Sequence, residues 1–94
     1  MAKRTRPEDA AWSDYAGELA TNLRRLRQEA GLSQEDVAYR SGLTRYTYQK
    51  YEKGESKPGT PSNPTIRTLL AMSQALGVSL MDILPAKIPD LRLR

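Results

Sequence analysis

Arg45, Tyr46, Gln49 and Lys50 fall within six consecutive positions. At about 3.6 residues per turn, Tyr46, Gln49, Lys50 and the nearby Lys53 project from one side of a helix. These side chains hydrogen-bond and carry positive charge, and their chemistry is that of recognition. An Arg or Lys donates to the O6 and N7 acceptors of guanine, a Gln pairs with N6 and N7 of adenine, and a Tyr meets a thymine methyl group or a phosphate. Such preferences do not spell out a target sequence. Thr44, Tyr39, Arg40, Lys53 and Lys57 are placed to hold phosphates, which set register and most of the salt dependence. Thr47 lies nearer the side of the helix and serves either group. From Tyr39 to Lys57 the bases Arg40, Arg45, Lys50, Lys53 and Lys57 face only Glu52 and Glu55. Any one of these lysines alone would read as part of an ordinary solvated face. Their concentration on one predicted helix and its flanks points to a polyanionic partner.

The elements that must position these residues are marked by caps. Gly31 closes a preceding helix, Ser33 caps the next, and Asp36 stands three positions on, where a carboxylate favours a helix N-terminus. That helix starts at about Gln34, carries Val37 and Ala38 inward and stops at Gly42. Leu43 plugs the angle before the following helix, which Thr44 caps and Gly54 ends. Tyr48 and Tyr51 share the packing face of this second helix and are expected as core aromatics with hydroxyls reaching the surface. Two short helices around a Gly-containing turn are the layout of a DNA-reading helix-turn-helix.

The remaining chain fits an all-α domain of five helices, and no strand is required. Ala16, Leu19, Leu23, Leu26 and Ala30 recur at helical spacing and predict a first helix over about Asp14 to Ala30. Pro7, Glu8 and Asp9 allow a start one or two turns earlier, with Gly17 as a weak point inside. Ile66, Leu69, Leu70 and Leu76 mark a fourth helix from about Thr65 to Leu76, closed by Gly77. Ser79 and Asp82 cap a short fifth helix ending before Pro85. The chain thereby divides into a basic N-terminal arm (1–13, partly helical under the earlier start), a helix-turn-helix domain (14–85) and a C-terminal tail (86–94). The arm, with Lys3, Arg4 and Arg6, either lies along DNA or is a basic end without that role. The tail either packs on the domain or joins a dimer interface with the fifth helix.

Composition removes most other classes. The 94 residues support one domain with a small core, and a net charge of +4 suits an anionic partner. With no Cys and no His, the chain has no disulfides, thiolate chemistry, Cys/His zinc sites or His-dependent triads. It shows no catalytic carboxylate pair, phosphate-cradling glycine loop or nucleophile elbow, so neither an enzyme nor a cofactor is expected. No apolar run approaches the roughly 20 residues of a membrane span, and no signal-peptide stretch opens the sequence.

From about Leu19 to Pro85 the sequence resembles the phage repressor and Cro type, or XRE-like, helix-turn-helix family. The resemblance is carried by Leu26-Arg27-Gln28-Glu29-Ala30-Gly31-Leu32-Ser33-Gln34-Glu35-Asp36-Val37-Ala38, then Ser41-Gly42-Leu43-Thr44 and Tyr51-Glu52-Lys53-Gly54. It continues through Pro64-Thr65-Ile66 and Leu76-Gly77-Val78-Ser79. It implies a compact five-helix repressor-like domain, a cytoplasmic, nucleoid-associated protein, and a pairing of Arg27 with Glu52 that fixes the angle of the reading helix; the alternative is two solvated charges. It also implies that Gln34, at the opening of the second helix, meets a DNA phosphate; the alternative is a solvated glutamine. Tyr48 and Tyr51 depart from the aliphatic residues usual in the family. The main departure is Glu55 to Asn63, a longer Pro/Gly/Ser loop than relatives carry, which makes Lys57 either an extra backbone contact or part of a tolerated insertion.

The expected function is sequence-specific binding of double-stranded DNA by a small transcriptional regulator, as a homodimer on a palindromic operator with reading helices about 34 Å apart. Regulation by occupancy would repress by blocking polymerase or activate by touching it. The small single-domain plan is also similar to that of the controller proteins of restriction-modification systems. The alternative from another class is an antitoxin-like module that neutralises a protein partner and binds DNA secondarily.

Overall fold

A computed structural model describes residues 6–92; Lys3 and Arg4 of the arm and Leu93 and Arg94 of the tail lie outside that range. The described chain folds as α1 (Pro7–Glu29), α2 (Gln34–Arg40), α3 (Arg45–Lys53), β1 (Glu55–Lys57), β2 (Thr60–Pro61), α4 (Ile66–Leu76) and α5 (Leu80–Ile83). The first helix opens at Pro7, the earlier of the two starts. Proline suits this position because the first N–H of a helix has no intrahelical acceptor anyway, and Glu8 and Asp9 complement the helix dipole.

Local chemistry fixes the other boundaries. Ser33 and Asp36 form a reciprocal capping box, in which Asp36 N–H donates to Ser33 Oγ and Ser33 N–H to Asp36 Oδ2, each at 3.0 Å. The Ser33 backbone N–H heads the interactions that lower the Asp36 pKa. Thr44 and Thr65 cap α3 and α4 through their hydroxyls, and Ser79 with Asp82 repeats the box at α5. Gly54 ends α3 at φ +80°, a left-handed conformation that strains other L residues.

The core forms where α1 crosses the remaining helices. Leu19, Leu23 and Leu26 of α1 meet Val37 and Ala38 of α2, Tyr48 of α3, Leu69, Met72 and Leu76 of α4, and Ile83 of α5. Ala30 is exposed beyond the end of α1 and extends no stripe. Ile66 and Leu70 are 67% and 42% exposed because α4 turns Leu69, Met72, Ser73 and Leu76 inward and these two residues fall on the opposite side. Tyr48 is fully buried, so its hydroxyl does not reach the surface as expected; Tyr51 is half-buried against the core.

One element departs from the expectation of no strand. The Glu55–Asn63 segment folds back as a small antiparallel hairpin pairing Glu55 with Pro61 and Lys57 with Thr60. Pro58 followed by Gly59 at φ +80° fits the sequence pattern of a type II turn, and Gly59 N–H donates to Glu55 Oε2 at 2.9 Å. Ser62 N–H closes the loop on the Gly54 carbonyl at 2.9 Å.

Candidate nucleic-acid interface

α3 is held by its inner face. Glu52, 3% exposed, receives Arg27 in a bidentate pair: Nε to Oε2 at 2.6 Å and Nη2 to Oε1 at 3.2 Å. Arg27 also donates through Nη1 to the Leu32 carbonyl at 3.1 Å, which ties the α1–α2 turn to the same guanidinium. Burial by itself would push the Glu52 carboxyl pKa up, but hydrogen bonding to Arg27 and Gln34 outweighs it and holds the group below the usual carboxylate range. Burial, reinforced by the adjacent Glu52 carboxylate, pushes the Tyr48 hydroxyl far above its ordinary pKa.

Three contributors to this frame are not among the residues expected from the sequence. Arg24 donates through Nη1 to the Glu52 carbonyl, placing a cation at the C-terminal end of α3. Its signal is the three-residue spacing from Arg27, which puts both guanidinium groups on the same side of α1. Asn22 Nδ2 donates to the Ile83 carbonyl at 2.9 Å and Tyr15 Oη to the Pro85 carbonyl at 3.3 Å, tying α1 to the end of α5 and to the residue just before the tail. Neither of these has a local sequence signal.

The outer face of α3 presents recognition chemistry. Tyr46 is 69% exposed with Lys50 Nζ 4.4 Å from its ring centroid, a cation–π contact that holds the lysine over the aromatic face. Gln49 and Lys50 are half-buried, and Arg45 is exposed at the start of the helix. Thr44 and Thr47 are joined by a 2.9 Å hydroxyl contact that belongs to the helix cap. A cleft between α3 and the hairpin is lined by Tyr46, Gln49, Lys50, Lys53 and Lys57 with neighbouring hairpin residues. The fold thus brings Lys57 beside Lys50 and Lys53. Tyr39, 85% exposed, and Arg40 stand apart from that cleft, at the end of α2.

Gln34 is half-buried. Its Nε2 donates to Glu52 Oε1 at 3.0 Å and its Oε1 accepts from Gln49 Nε2 at 3.1 Å. The amide therefore faces inward across α2 and α3. Its backbone N–H, the first in α2, has no intrahelical acceptor. With Glu52 committed to Arg27, Glu55 is the one acidic residue left between Tyr39 and Lys57, and it lines the same cleft as Lys50, Lys53 and Lys57, so positive charge remains in excess on this face.

Two short capped helices, the second locked by its inner face and presenting polar and cationic side chains outward, define a helix-turn-helix. Residues 18–83 match the family described as "Helix-turn-helix domain". The chain is 40% identical over 65 residues to the "uncharacterized HTH-type transcriptional regulator y4dJ" of Sinorhizobium fredii, an alignment covering 69% of this chain and 77% of that protein. Among solved structures it is similar to the restriction-modification controller protein C.AhdI from Aeromonas hydrophila, with TM-score 0.64 and 29% identity over 72% of this chain and 94% of that one. It is also similar to an HTH_3 family transcriptional regulator from Vibrio cholerae, with TM-score 0.66 and 28% identity over 77% of this chain and 37% of that one. The chain belongs to the helix-turn-helix family of DNA-binding transcriptional regulators, of the phage repressor and Cro type. Among the described residues no helix is long and apolar enough to cross a membrane.

Proposed function

We propose that this protein binds double-stranded DNA sequence-specifically as a small regulator, with α3 in the major groove and Arg45, Tyr46, Gln49 and Lys50 against base edges. The observation that carries this reading is the division of α3 into a face fixed by Tyr48 and Glu52 and an opposite face of neutral polar and cationic groups. A reading helix needs both, because base-edge hydrogen bonds discriminate only when the helix angle is fixed. Tyr39, Arg40, Thr44, Lys53 and Lys57 then hold phosphates on either side. Thr47 serves phosphate or base, and Gln34 offers its backbone N–H to a phosphate. The hairpin keeps Lys57 at the lysine-lined cleft, which supports an added backbone contact from this loop.

The protein acts as a homodimer on a palindromic operator, at the nucleoid in the cytoplasm. Exposed Ile66 and Leu70 on α4 and Met81 on α5, the last 76% exposed, are apolar side chains suited to a second copy. Occupancy of the operator is the simplest mode of regulation. The test is equilibrium binding of Lys50→Ala and Lys57→Ala to a preferred duplex and to random duplexes. Lys50→Ala should weaken the preferred site more, by about 1–3 kcal/mol, and Lys57→Ala should weaken both alike and lower the salt slope by about one. Equal losses for Lys50→Ala on both DNAs would make it a phosphate contact. Stable co-purification of a protein partner with no preference among duplexes would favour the antitoxin-like module instead.

A further inference from the structure

The Glu52 carboxylate does more than hold α3 against α1. Its Oε1 lies 3.0 Å from Gln34 Nε2, and Gln34 Oε1 lies 3.1 Å from Gln49 Nε2. An ionised carboxylate only accepts hydrogen bonds, so the end of Gln34 that faces Glu52 is its NH2. The opposite end is then its carbonyl oxygen, and the end of Gln49 that meets it must again be NH2. Flipping either amide would set oxygen against oxygen in a part-buried site, where unmatched acceptors are costly. The orientation of both amides follows from one buried charge, which Arg27 holds in place from the other side.

We propose that the Glu52–Gln34–Gln49 chain fixes the Gln49 amide with its carbonyl oxygen and second N–H available side by side, making Gln49 a selector of adenine and Gln34 its positioning residue. This rests on the reading of α3 as the helix that meets base edges. In the major groove adenine offers an N6 donor beside an N7 acceptor, the complement of a carbonyl oxygen beside an N–H. Guanine offers two acceptors, O6 and N7, and a fixed carbonyl oxygen would face O6. An amide free to rotate turns its NH2 toward either base and loses that discrimination. Gln49 lines the cleft with Tyr46 and Lys50, so the fixed amide sits among the other side chains assigned to bases.

The experiment combines two readouts on the full chain. Side-chain amide relaxation by NMR, on free wild type and Gln34→Met, reads the relay without DNA. Selection from a random duplex library, with wild type, Gln34→Met and Gln49→Ala, reads base choice. Methionine keeps the length of Gln34 and leaves the Arg27–Glu52 pair intact. The Gln49 NH2 should be rigid in wild type and mobile in Gln34→Met. The motif position that loses its preference in Gln49→Ala should be adenine in wild type, and its enrichment should fall roughly tenfold in Gln34→Met with other positions unchanged. A mobile Gln49 amide in wild type overturns the relay. So does Gln34→Met weakening all sequences evenly with that position unaltered, which would mark a merely structural residue. A rigid amide in a wild-type protein that selects no motif overturns the base-reading role of α3, and the adenine assignment with it.

Discussion

At Glu52 a single carboxylate joins three helices: Arg27 from α1 and Gln34 from α2 both donate to it, and it stands on α3. Breaking a buried pair leaves an uncompensated charge, so Arg27→Ala should cost about 3 kcal/mol in chemical denaturation as well as DNA affinity. An unchanged midpoint would show that the pair contributes nothing to holding α3. The same group sets a pH dependence. Folding holds its pKa below the ordinary carboxylate range, so at mildly acid pH the native state binds fewer protons than the unfolded chain. Its contribution is complete above the unfolded-state pKa, near 4 for a glutamate, and is lost as pH falls through the lower native value. Glu52→Gln should therefore be less stable at neutral pH yet show a shallower acid limb in melting temperature against pH. Parallel curves for variant and wild type would contradict this.

At the level of elements, the α1 backbone comes close to the point where α3 ends. A Cβ built on Gly54 would stand 3.3 Å from the Ala16 carbonyl oxygen and 3.4 Å from Gly17 Cα, at a φ of +80°. Gly54→Ala should destabilise by at least about 2 kcal/mol, from left-handed strain and displacement of α1 together. Gly17 is the contrasting case, because a Cβ there meets nothing within 4 Å. Gly17→Ala should raise stability by roughly 0.5–1 kcal/mol by improving helix propensity. Thermal melts of the two variants check both signs. The helices with side-chain caps were legible because Ser33, Thr44, Thr65 and Ser79 act on their own next turn, and the helix stops at Gly54 and Gly77 are equally local. The hairpin was not, since β1 and β2 are too short for alternation to register, although Pro58-Gly59 already carried the turn signal. The inward turn of Gln34 depends on how α2 crosses α3, and the full burial of Tyr48 on how α1 and α2 close over it. No local pattern encodes either crossing.

For the whole molecule, the decisive property is the separation of charge between inside and outside. Glu52 is consumed by the core, whereas Lys50, Lys53 and Lys57 share one cleft with Glu55, and Arg40 stands exposed apart from it at the end of α2. The net charge of +4 therefore understates the field at the α3 face, and binding should weaken steeply as salt rises. On the proposed homodimer, the second copy would bring a second such face to the duplex. Sequence-specific binding by α3 is tested most directly by selection of bound sequences by the wild-type protein from a random duplex library at near-physiological salt. The expected result is a palindromic motif whose half-sites lie about one helical turn apart. Recovery of sequences no different from the starting library would contradict it.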